Sequence, residues 1–70
     1  MGHAEELREI EASCIAKFKA KAEEIRRMDP GISPAAAFAK AAEALPAVAS
    51  RYNYVRILLA DLGIPSLPLR

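Results

Sequence analysis

Seventy residues with ten Lys or Arg against nine Asp or Glu make one small domain of nearly balanced charge, which excludes a global field drawing the chain to nucleic acid or an anionic membrane. A globular chain of this size buries only roughly 60% of the surface its unfolded form exposes, so stability calls for disulfides, a structural metal or self-association. One cysteine, Cys14, and one histidine, His3, close no internal disulfide and fall short of a four-ligand zinc site, which leaves self-association or a partner protein.

The first stretch, "MGHAEELREIEA", is acidic and lacks the basic and apolar regions of a signal peptide. No apolar run approaches the ~20 residues of a membrane span. The expectation is a cytoplasmic protein with Cys14 reduced, and His3, so near the chain's end, takes no assigned role. From about residue 4 to 28 there is no Gly or Pro, and Leu7, Ile10, Cys14, Phe18, Ala22, Ile25 and Met28 recur at steps of three and four, the spacing of an amphipathic helix. Glu5, Glu6, Glu9 and Glu11 gather early and Arg26 and Arg27 late, each complementing the macrodipole, and Glu23 with Arg27 has the favoured i,i+4 order.

"MDPGIS" is read as a turn over residues 29–33, because Pro30 disfavours the helical conformation at Asp29 and Gly31 permits a reversal. Ser33 then caps a second helix of about 34–45, with Pro34 at its first position. Its stripe is Phe38, Ala41 and Leu45, and its alanines admit another backbone closely while burying little area themselves. Pro46 removes a hydrogen bond to Ala42 at a cost of ~3 kcal/mol if a single helix runs through it. Leu45 is a poor N-cap for a fresh helix. A sharp kink and a tight division both fit.

Beyond Pro46 a third helix of about 47–62 carries Val48, Tyr52, Val55, Leu59 and Leu62 in a heptad-like seam. Gly63, Ile64 and Pro65 read as a left-handed C-terminal cap with Ile64 folded back on the last turn. The tail, 63–70, is expected to be extended, with Leu67 and Leu69 tucked in or offered to a partner. The fold class is therefore all-α: one domain over 1–70, a helical hairpin with a Pro-kinked second arm, equivalently a small three-helix bundle, expected to be oligomeric.

No catalytic constellation is legible, so the chain reads as a non-enzyme without metal or cofactor. The serines have no glycine elbow, the glycines make no phosphate loop, and Cys14 on the apolar stripe behaves as a small hydrophobe. The third helix carries more apolar residues than one seam needs: Leu58 lies at the seam's edge, Tyr54 beyond it and Ile57 roughly opposite. The expected interface is accordingly Tyr54, Ile57, Leu58 and Leu62 together with the alanine face of helix two at Ala41, its partner a second copy in a homodimer or another helical protein. The alternative is nucleic-acid binding through Lys17, Lys19, Arg51 and Arg56, cations interleaved with Tyr52 and Tyr54. Nearby Glu23, Glu24 and Glu43 oppose it.

The stretch "DPGISPAAAFAKAAEALPAVASRY" resembles short helical segments of bacteriophage and prophage structural or assembly proteins, through Ser33, Ala37, Phe38, Lys40, Pro46, Arg51 and Tyr52. It departs from them in its excess of alanine and in the "GIPSLPLR" tail. The resemblance implies a small accessory or assembly role and carries over no catalytic residue.

Overall fold

The computed structural model describes residues 3–65, and the expectations for Leu67 and Leu69 lie outside them. Among the described residues three helices and no strands are found: α1 (His3–Met28), α2 (Pro34–Ala44) and α3 (Pro46–Asp61). α1 has 26 residues, about 39 Å at 1.5 Å per residue. This long arm sets the 42 × 19 × 16 Å outline of the molecule. α2 and α3 lie along it end to end, each packing on α1 far more than on the other. The architecture is an all-α hairpin whose second arm is made of two helices.

The division falls on one residue. Leu45 leaves helical geometry (φ −124°, ψ 64°) and serves as C-cap of α2 and N-cap of α3 at once, with no side-chain capping bond. Its N–H donates to the carbonyls of Ala41 (3.0 Å) and Ala42 (3.3 Å), while its own carbonyl accepts from Ala49 N–H at 2.9 Å. Leu45 thereby closes the last turn of α2 and opens the first of α3 through its own backbone, and Pro46 at N1 loses nothing because its missing N–H has no partner there. The proline divides two helices. Leu45's side chain, useless as a cap, instead packs half-buried against the Cys14, Ile15, Phe18 and Tyr52 cluster.

Ser33 caps α2 as its position implies, its Oγ accepting from Ala36 N–H at 3.2 Å. At the other end of the chain, Gly63 takes a positive φ of 76°. Its N–H donates to Ala60 O and that of Ile64 to Leu59 O, both at 2.9 Å. This is the Schellman arrangement. Ile64 folds back beside Leu7, Val55 and Leu59.

The core is a row of three clusters along α1: Leu7 with Val55 and Leu59, then Cys14, Ile15 and Phe18 with Tyr52, then Ala22 with Ala37 and Ala41. Two members of the expected α1 stripe are corrected. Ile10 and Met28 stand exposed, while Glu11 and Ile15 are buried in their stead. At ~100° per residue the buried face centres between Leu7 and Ile15, and Ile10 and Met28 both lie about 90° off it. Leu62 is likewise exposed, because α3 has ended at Asp61 and Leu62 is already its C-cap. The ion pair in the second half of α1 is Lys21 to Glu24 at 3.1 Å rather than Glu23 to Arg27.

Candidate functional site

α3 is the element with apolar surface to spare. Its inner seam, Tyr52, Val55 and Leu59 with half-buried Val48, packs on α1. On the outside, Tyr54 is 64% and Ile57 61% exposed, while Leu62, past the end of α3 and on the seam side, is 53% exposed. Leu58 is half-buried, one edge packed on the Leu7, Val55 and Leu59 cluster. Ala41 is corrected out of this surface: it is wholly buried within the chain, against Ala22 and Ala37. The alanine face of α2 serves the close approach to α1.

Tyr52 anchors α3 to α1. Its ring meets Phe18 edge to face, centroids 5.5 Å apart and planes at 89°, the geometry that sets a positive ring edge on a negative face. Arg56 holds its guanidinium carbon 5.5 Å from the Tyr52 ring centroid, within cation–π range. Burial pushes the Tyr52 phenol above its ordinary value; the Arg56 charge pulls it down, and Glu11 and Cys14 add to the rise.

A groove of about 350 Å³ runs between α1 and the start of α3, lined by Ile10, Cys14, Ala47 and Val48 with Glu9, Ser13, Lys17 and Arg51. It brings two of the expected cations, Lys17 and Arg51, to one place, though Glu9 shares the lining. The other two are elsewhere. Lys19 is exposed two residues on from Lys17, a turn of about 200°, and Arg56 lies over Tyr52 and borders a separate hollow with Asn53, Ile57 and Ala60. The four cations do not form one stripe.

The largest feature missed from sequence is Glu11, wholly buried. Arg8 Nη1 donates to its Oε1 at 2.9 Å and to Pro65 O at 3.0 Å, tying α1 to the segment that leaves α3. The i,i+3 spacing of Arg8 and Glu11 is the sequence signal for it. Among the described residues no group of three His, Cys, Asp or Glu gathers to hold a metal, and no helix is long and apolar enough to cross a membrane. Cys14 is buried and unpaired in a disulfide. No protein-family model, curated protein or solved structure matches the chain.

Proposed function

We propose that this chain is a small non-catalytic helical module for protein–protein association, working through the outward side of α3 and assembling first with itself. The observation that carries the reading is the exposure of Tyr54 and Ile57, with half-buried Leu58 beside them, on one side of a short helix whose inner seam is already packed on α1. Single exposed apolar residues need no explanation, but a cluster of them on one face marks a contact surface. Hydrophobic burial drives the association, and a cytoplasmic accessory or assembly role, of the kind the phage resemblance implies, is consistent with such a surface. The test is solution mass by light scattering across a range of concentrations. A mass that rises with concentration in the wild type, and less so in Tyr54→Asp and Ile57→Asp, supports the reading; a wild-type monomer throughout would remove self-association.

The nucleic-acid reading draws on one observation, the shared groove of Lys17 and Arg51. It requires binding that falls steeply with salt and weakens when those two side chains are neutralised. Glu9 in the same lining and the turn of Lys19 away from it give it less support than association has.

A further inference from the structure

The inner seam of α3 has a twin. Each seam position, Val48, Tyr52, Val55, Leu59 and Leu62, is preceded by one residue of a second stripe: Ala47, Arg51, Tyr54, Leu58 and Asp61. This stripe steps by four, three, four and three, so it too has heptad spacing, turned about 100° round the helix from the first. All its members are exposed except Leu58, which is half-buried. α1 covers the first seam from Val48 to Leu59 and leaves Leu62 exposed; within the chain the second stays largely open.

Four of the five stripe positions are spaced symmetrically, and Ala47 alone has no counterpart. About a centre at residue 56, Tyr54 is balanced by Leu58 and Arg51 by Asp61. An isologous antiparallel contact about that centre sets residue i of one copy on j of the other and j on i, so the spacing brings Tyr54 to Leu58 and Arg51 to Asp61. Resting on the reading of α3 as the association surface, we infer that a second copy of this chain packs its α3 antiparallel on this stripe, with Tyr54 against Leu58 in two central layers and Arg51 against Asp61 in two flanking ones.

Charge and placement support this occupant. Arg51 and Asp61 are the stripe's one cation and one anion, and among the described residues neither enters an ion pair within its own chain. Asp61 stands in the last turn of α3, where a carboxylate faces the negative end of the macrodipole. A guanidinium from the second copy relieves that repulsion. The pairing also rejects the parallel arrangement, which stacks Arg51 on Arg51 and Asp61 on Asp61. Polar residues at such core positions are best attested as setters of register and orientation. The stripe continues into the groove beside α1, since Ala47 and Arg51 line both, and exposed Ile10 in that groove extends the apolar ground the second helix lies on.

Charge reversal tests the register with the full chain. Arg51→Asp alone and Asp61→Arg alone each set like charges together twice per dimer and are expected to weaken association by about tenfold or more, judged by sedimentation equilibrium. The double variant R51D/D61R, and an equimolar mixture of the two single variants, restore complementary pairs and are expected to associate as the wild type does. Both side chains are exposed, and unchanged far-ultraviolet circular dichroism confirms that the variants are folded. If the single variants associate normally, or neither the double variant nor the mixture recovers, the antiparallel register is wrong. Should Tyr54→Asp still dissociate the protein in that case, association through α3 survives without it. A wild type monomeric at every concentration overturns both.

Discussion

Arg8 and Glu11 are joined at 2.9 Å, the carboxylate wholly buried and the guanidinium 35% exposed, so one end of this ion pair is in the core and the other reaches water. The same guanidinium nitrogen holds the Pro65 carbonyl, which fixes where the chain leaves the bundle. A carboxylate in this position costs desolvation, which a close, hydrogen-bonded cation helps to offset.

Removing the cation alone is therefore expected to be worse than removing both charges. Arg8→Ala should lower unfolding stability by about 2 kcal/mol, since it removes the cation beside a wholly buried carboxylate, a loss moderated because Arg8 itself is partly solvated. Arg8→Ala combined with Glu11→Leu should recover most of it, since a well-packed hydrophobe replaces a buried pair at little net cost. Urea denaturation of the two variants measures the difference. If the double variant is no more stable than Arg8→Ala, the burial of Glu11 is not what makes Arg8 necessary.

Tyr52 predicts a pH dependence on the alkaline side. Its folded-state pKa is raised above 10.0, chiefly by burial, so the folded chain holds the phenolic proton more tightly than the unfolded chain does. The stability that this contributes is fully present below the unfolded value and is lost as pH rises through the folded one. Tyr52→Phe keeps the ring against Phe18 and removes the proton. Denaturation at a series of pH values from about 8 to about 11 should show the wild type losing more stability above about pH 10 than the variant does. Parallel curves would show that the phenol is not the group responsible.

Ala41 should resist enlargement although it is among the smallest side chains in the molecule. It is wholly buried with Ala37 beside Ala22, where the backbones of α1 and α2 approach closely, so Ala41→Leu is expected to cost about 1–3 kcal/mol through overpacking. Ala39, exposed on the same helix, is the control: Ala39→Leu should change stability by less than about 0.5 kcal/mol. Thermal unfolding of the pair decides it, and equal melting temperatures would mean that the alanine contact is looser than its burial shows.

The contrast between Ala41 and α3 also explains how far the sequence could be read. Helix limits were legible to within a residue because Ser33, Pro34, Pro46 and Gly63 act locally, through caps, missing donors and backbone freedom. The α1 stripe was misjudged at Ile10 and Met28 because apolar identity pointed to them. Glu11 looked solvated, and its burial depends on Arg8 bridging to a carbonyl 57 residues further along. Spacing put Ala41 on one stripe with Phe38 and Leu45, but alanine does not show what covers it, so the expected contact with a partner proved to be the contact with Ala22 on α1. Tyr54 and Ile57 were legible as outward because Val48, Tyr52, Val55 and Leu59 already occupied the seam, and a helix has one side toward each neighbour.

The end of α3 offers a test of local geometry against packing. Gly63 has a φ of +76°, and a Cβ built there meets nothing within 4 Å, whereas Gly31 has no positive φ and a Cβ there comes only within 3.8 Å of Asp29 Oδ1, an ordinary contact. Space is adequate at both positions, so any difference between them is backbone strain. Gly63→Ala should destabilise by about 1 kcal/mol, because an L side chain opposes the left-handed conformation on which the bonds to Ala60 and Leu59 depend. Gly31→Ala should be neutral or stabilise by up to about 1 kcal/mol, by restricting the unfolded chain. Chemical denaturation of both variants provides the comparison. If Gly63→Ala is as stable as Gly31→Ala, the turn has reached an unstrained alternative, and the packing of Ile64 on Leu7 is sustained without the Schellman geometry.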